Sequence, residues 1–182
     1  MAKISPLAPS RQPHPAPIAG LRLAATASGL RYKGRKDLAF FELAPGSTVA
    51  GVFTRSKTAA APVDWCKAAL ASGSVRAIVV NSGNANAFNG AAGMAAVRRT
   101  ASLAGELVGC AADEVFIAST GVIGEPLPVE KIEAALAELH GQLSGDAWRP
   151  VADAILTTDT FPKLATAEAE ICASTKWGPR IH

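Results

Sequence analysis

An α/β fold is what this sequence predicts, on three observations. Continuous apolar runs of strand length, Val75 to Val80 and Glu114 to Ala118, alternate with segments whose apolar residues recur at helical spacing. Each of these runs leads directly into a polar, glycine-containing stretch. The 182 residues suffice for one ordinary domain, and 49% hydrophobic against 18% charged residues is the balance of a folded chain. Aromatic residues are few and alanine is abundant, so the core is expected to pack backbones closely.

Residues 1 to 20 are expected to form an extended arm, because Pro6, Pro9, Pro13, Pro15 and Pro17 favour polyproline or edge conformations and exclude helix. Residues 21 to 172 then form the single α/β domain. Its first strands are predicted at Asp37 to Leu43 and Thr48 to Phe53, a hairpin around Ala44-Pro45-Gly46-Ser47. The strand Val75 to Val80 enters the loop Asn81-Ser82-Gly83-Asn84-Ala85-Asn86. After Gly90, the spacing of Met94, Val97, Ala101, Ala104 and Val108 predicts a helix facing the core. Glu114 to Ala118 is the next strand, and Ser119 to Pro126 a loop.

Ile132, Leu136, Leu139 and Leu143 mark a second helix, with Gly141 as its C-cap. Trp148, Val151 and Ile155 mark a third, with Pro150 in its first turn. Thr166 to Cys172 is the last predicted strand, and residues 173 to 182 an irregular tail.

Charge is distributed unevenly. Lys3, Arg11, Arg22, Arg31, Lys33, Arg35 and Lys36 all precede the first acid, Asp37. The prolines nevertheless rule out a helical transit peptide, and the scatter of the cations without interleaved aromatics argues against a nucleic-acid arm. No apolar run reaches membrane-spanning length, so a cytoplasmic protein without membrane or nucleic-acid partners is expected. Cys66, Cys110 and Cys172 fit neither a disulfide framework nor a zinc site and read as buried thiols. His14, His140 and His182 lie in the arm, at a helix end and at the last residue, poor positions for a catalytic base or metal ligand.

Chemistry is expected at the polar strand ends, where short side chains and backbone N–H groups converge. The Thr120 hydroxyl beside the Gly121 N–H would suit an oxyanion. Thr157-Thr158-Asp159-Thr160 adds three hydroxyls and a carboxylate. Spacing alone favours plain turn chemistry for all three stretches. There is no phosphate loop, no dinucleotide-binding glycine fingerprint and no Ser/His/Asp set in a usable context.

Several long motifs in register carry more information than any one of them. Ser5-Pro6-Leu7-Ala8-Pro9, Ala50-Gly51-Val52-Phe53-Thr54, Ala61-Pro62-Val63, the run Arg76 to Ala87, Ser119 to Gly124 and Thr157 to Thr160 occur in order. Together they closely resemble the N-terminal, α-chain half of the ornithine acetyltransferase family, the bifunctional glutamate N-acetyltransferases of arginine biosynthesis. The resemblance covers about residues 4 to 172 and implies a mixed-sheet, layered α-β-β-α sandwich, of which this is the N-terminal half. It also implies a cytoplasmic multifunctional enzyme that cuts itself into α and β chains, assembled as an α2β2 heterotetramer. The acetyl group passes from N-acetylornithine to glutamate, with no cofactor and with acetyl-CoA as an alternative donor in some members. The nucleophile is the β chain's terminal threonine, whose own amine acts as base.

Carried over to this sequence, the resemblance makes Thr120 and Gly121 the oxyanion hole and Thr157 a substrate contact, ahead of Thr158 and Thr160. No nucleophile and no metal are expected in this chain. Ala165-Thr166 belongs to a Pro-Lys-Leu-Ala-Thr-Ala run separate from the family's cleavage site, so Thr166 reads as a strand residue. From Ala173 onward the family pattern stops, and the chain is expected to be inactive alone. A non-catalytic binding or regulatory protein and a truncated, inactive product are the alternatives.

Overall fold

The computed structural model describes residues 4–168. Four strands make one mixed sheet in the order β1 (Leu21–Thr26), β2 (Leu38–Leu43), β3 (Ala77–Asn84) and β4 (Val115–Val122). The first two pairings are antiparallel and β3–β4 is parallel. A parallel return requires a long crossover. It is supplied by α2 (Gly90–Val108), while α1 (Ala61–Ala69), α3 (Val129–Gly141) and α4 (Trp148–Ala154) complete the α-helices among the described residues.

Strand alternation sorts the core into two faces. Ala24, Leu38, Phe40, Ala77, Val79, Val115 and Ile117 meet Val97, Ala101 and Ala104 of α2 and Ile132, Leu136 and Leu139 of α3. On the other face Leu23, Ala25 and Ala39 meet Val151 and Ala154 of α4. The alanine-rich stripe of α2 has no long side chains to hold the helix away from the sheet, which accounts for a tight core with few aromatics. The α/β class holds, with one sheet between helices. The second sheet of a four-layer sandwich is not among the described residues.

Several elements differ from expectation. The partner of β2 is β1, and Thr48–Phe53 forms no strand beyond a single bridge from Thr48 to Ser74. Strand β1 escapes pattern reading because Leu23, Ala24 and Ala25 are buried on both faces and show no alternation. Helix α1 was not expected either; it opens at Ala61 with Pro62 in its first turn, where the missing N–H costs nothing. Both β3 and β4 continue through the stretches expected to be loops, to Asn84 and Val122.

Further along, α3 runs through Gly141 and is closed by Gln142, so Gly141 is no left-handed cap and Leu143 lies outside the helix. Ile155 caps α4 and is exposed. Cys66 is buried as expected, whereas Cys110 is half-buried. Thr166–Glu168 is not strand; the rest of that predicted element, Cys172 and the tail at 173–182 lie outside the described residues. From residue 4 to 20 the arm has no helix or strand, and it turns at Ser5–Ala8, where the Ala8 N–H donates to the Ser5 carbonyl at 3.0 Å. It is tied to the segment after α4 by the Ser5 N–H on Thr160 Oγ1 (3.1 Å) and by Gln12 on the Pro162 carbonyl.

The outer edge of β4 is covered by α1 through side chains. Trp65 Nε1–H donates to the Val115 carbonyl (2.9 Å), the Cys66 thiol donates to the Ile117 carbonyl (3.2 Å), and the Ile117 N–H reaches back to Cys66 Sγ (3.4 Å). A helix thus satisfies edge groups that would otherwise invite another strand. Past Ile117 these contacts stop, and β4 relies on β3.

There the two backbones come unusually close. The register slips at Asn84, which faces both Thr120 and Val122. Gly121 has φ +135°, and a Cβ at that position would lie 2.4 Å from the Gly83 carbonyl carbon and 2.6 Å from the Asn84 nitrogen. No side chain fits. Replacing Gly121 by alanine combines 1–3 kcal/mol of backbone strain with this overlap, so Gly121→Ala is expected to lower Tm by roughly 4–8 °C in a calorimetric scan. An unchanged Tm would mean that β4 does not approach β3 in this way.

Cys66 provides a second test. Burial pushes its thiol pKa up from the ordinary 9.0, partly offset by the hydrogen bond from Ile117. The folded state therefore keeps a proton that the unfolded chain gives up, and stability falls as pH rises above that value. In urea titrations Cys66→Ala should cost about 1–3 kcal/mol at pH 7 by leaving the Ile117 groups unpaired, and should flatten the alkaline decline. A decline of unchanged steepness in the variant would exclude Cys66 as its source.

Candidate functional site

The parallel pair fixes where a site can form. β3 and β4 end on the same side, and in such sheets ligands collect beyond the carboxyl ends of the strands. Thr120 and Gly121 are the two residues before the last of β4, opposite Ser82 and Gly83 of β3. Thr120 is half-buried and Gly121 exposed. The pleat turns Thr120 toward the face on which α4 packs.

Thr157 follows α4 in a turn. Ser82 brings the two regions together: its hydroxyl, fully buried beside Thr120 in the register, donates to the Ala154 carbonyl at 2.7 Å. Thr157 is three residues further on. The Asp159 carboxyl accepts from Lys163 and from the Thr157 N–H at 3.4 Å, which closes the turn. The Lys163 ammonium and that N–H hold Asp159 below the usual carboxylate range, so it is an acceptor here and no proton donor. Thr160 is engaged by the arm through Ser5, and Thr158 is exposed.

A third element was not singled out by sequence reasoning. The loop between β1 and β2 carries Arg31, Lys33, Arg35 and Lys36, and it folds over this end of the sheet. Its anchor is Asp37, fully buried, whose carboxyl oxygens accept from the Ser28 N–H (2.6 Å), the Ser28 hydroxyl (2.8 Å) and the Leu30 N–H (2.9 Å). Arg35 stacks over the Tyr32 ring at 4.3 Å and donates to the carbonyls of Leu156 and Thr157. Arg31 pairs with Glu125 at 2.7 Å and packs its stem on Gly83. The only signal for this loop was the run of four cations just before a lone acid, and scattered cations usually mean a solvated surface.

A cleft of about 380 Å³ opens beside these strand ends, lined by Arg31, Gly83, Asn84, Glu125, Pro126 and Glu130 among others. Neither Thr120 nor Thr157 lines it. Neither described histidine offers a base here. His140 lies at the opposite end of the sheet, edge-on to Phe40 and 3.3 Å from Glu42, and His14 is exposed on the arm. Among the described residues no His, Cys, Asp and Glu cluster could hold a metal, and no helix is long and apolar enough to cross a membrane. Converging hydroxyls, backbone N–H groups and guanidinium groups make this end suited to binding oxyanions and carbonyl oxygens.

The chain is similar to known proteins in both sequence and fold. The ArgJ family model matches residues 22–178. The "arginine biosynthesis bifunctional protein ArgJ" of Nitrobacter winogradskyi is 51% identical over 172 residues, and that of Agrobacterium fabrum 49% over 168; each match covers 92% of this chain. This chain spans 41% of the length of either relative. Among solved structures, ornithine acetyltransferase from Mycobacterium tuberculosis, crystallised with ornithine, superposes with a TM-score of 0.76 at 39% identity, covering 81% of this chain and 80% of that one. The ArgJ protein of Bacillus halodurans gives 0.72 at 32% identity over 78% and 74%. With most of its length matched by the family model and by relatives sharing half its residues, the chain belongs to the ArgJ family.

Proposed function

We infer that this chain is the α-chain-like part of an acetyltransferase that moves an acetyl group from N-acetylornithine to glutamate in arginine biosynthesis. In this reading the Thr120 hydroxyl and the Gly121 N–H form the oxyanion hole, and Thr157 contacts the substrate. The attacking threonine comes from a β chain corresponding to the remainder of the longer relatives, with which the α chain forms an α2β2 assembly. Acetyl-CoA serves as a second donor, entering as substrate, and no bound cofactor or metal takes part.

The observation that carries the reading is convergence. Three motifs far apart in sequence, ending β3, ending β4 and following α4, meet at one end of one sheet. The Ser82 hydrogen bond to Ala154 is the physical link between them. The solved ornithine acetyltransferase with ornithine bound supports the substrate class.

Chemically, attack on the acetyl carbonyl turns a neutral oxygen into an alkoxide. Donors fixed in advance stabilise that charge with no reorganisation. Gly121 is held by contact with the β3 backbone, so its N–H direction is set by the sheet and not by a mobile loop. The residues of this chain bind and stabilise; they supply neither nucleophile nor base.

The test is acetyl transfer from N-acetylornithine to glutamate, measured with and without a supplied β chain and repeated with acetyl-CoA as donor. Turnover is expected only with the β chain present. Thr120→Ala should reduce it by a factor on the order of 100 or more, the usual loss for one oxyanion donor. Transfer at an undiminished rate would remove Thr120 from the mechanism, and no transfer with any β chain would refute the enzymatic reading.

A further inference from the structure

The asparagine-rich stretch Asn81 to Asn89 is strand as far as Asn84 and loop beyond it. Asn81 and Asn84 belong to β3, Asn86 is in the left-handed region at φ +47°, and all three are 5% exposed or less. Each amide is engaged within the protein through both its oxygen and its nitrogen. What they hold is the end of β4.

Before the Thr120–Gly121 pair, the Ser119 hydroxyl donates to Asn81 Oδ1 at 2.6 Å, and Asn81 Nδ2 donates to the Asn84 carbonyl at 2.9 Å. After it, Asn84 Nδ2 donates to the carbonyls of Glu125 (3.0 Å) and Pro126 (3.2 Å), while Asn84 Oδ1 accepts the Asn86 N–H at 2.7 Å. Asn89 adds a donation to the same Glu125 carbonyl at 2.8 Å. Two backbone bonds, Ala85 N–H to Val122 O and Gly124 N–H to Ala87 O, lie between these brackets. The α1 contacts on the other edge of β4 end at Ile117, so this bracket takes over where they stop.

We propose that Asn81 and Asn84 are positioning residues that fix the direction of the Thr120–Gly121 donors by clamping the chain on both sides of them, at Ser119 within β4 and at Glu125 and Pro126 just after it. The proposal rests on the reading of Thr120 and Gly121 as the oxyanion hole. An amide is required because each bracket uses a donor and an acceptor in one rigid plane, which neither a carboxylate nor an alkyl group offers. Burial raises the stakes, since a lost donor leaves a buried carbonyl unpaired.

Asn84→Asp keeps the acceptor for Asn86 and the shape, but sets a carboxylate oxygen against the Glu125 and Pro126 carbonyls. Two measurements test it. Amide hydrogen exchange on the chain itself should accelerate roughly tenfold across 121–125 while α2 and α3 keep their protection. In the reconstituted transfer assay kcat per folded molecule, with the folded fraction counted by circular dichroism, should fall about tenfold with KM for N-acetylornithine within twofold, a loss that a smaller folded fraction does not produce once it is counted. Should Asn84→Asp fail to fold, Asn89→Ala removes one donor from the same carbonyl and is expected to give roughly a threefold change in both readouts.

Unchanged exchange over 121–125 in the folded variant would overturn the bracket itself. Faster exchange with unaltered kcat, in an enzyme where Thr120→Ala does lower kcat, would overturn its role in positioning. If Thr120→Ala is silent but exchange responds, the oxyanion reading fails and the clamp stands as structure alone.

Discussion

Parallel strands cannot be joined by a tight turn, and the pairing of β3 with β4 therefore commits the whole stretch between Asn84 and Val115 to crossing over the sheet. Helix α2 makes that crossing, and its small buried residues let it lie close on the strands it connects. Once both strands run the same way, their polar carboxyl ends share one side. Every feature with chemical potential follows from that: the Asn81–Asn89 bracket, the Thr120–Gly121 pair, and the turn at Thr157 reached through Ser82.

The polar residues at this end are buried in numbers that a core tolerates only when each has partners. Asp37, Asn81, Ser82, Asn84 and Asn86 are each 5% exposed or less, and every one is hydrogen-bonded within the protein. They act in two groups. Asp37 organises the cationic loop from below, and the asparagines organise β4 from the side. Both groups fix backbone that would otherwise be ordinary loop, which suits a surface where donors must be aimed before a substrate arrives.

Much of the fold was legible. The apolar runs Val75 to Val80 and Glu114 to Ala118 located β3 and β4, and the period from Met94 to Val108 located α2, because their burial is one-sided or complete over a full element. β1 was missed because burial on both faces erases alternation, and α1 because nine residues opening on Ala-Pro give few turns in which a period can show. The Thr48–Phe53 strand failed because apolar residues there serve a side cluster with Cys66 and Phe116 and pair with no full strand. Of the candidate site, Thr120, Gly121 and Thr157 were proposed from motifs; the cationic loop was not, since its meaning depends on where Asp37 anchors it.

The sequence by itself determined the class of fold, the family and the residues able to make donors, because those reside in periodicity and in motifs that survive as strings. It could not decide that Asn81 to Asn84 and Ser119 to Val122 are strand and not turn. That choice depends on the two segments lying side by side, where each satisfies the other's backbone groups and Gly121 permits contact at a distance no side chain allows. Asparagine and glycine have the same local preferences in either setting. Only the partner strand, distant in sequence, selects between them.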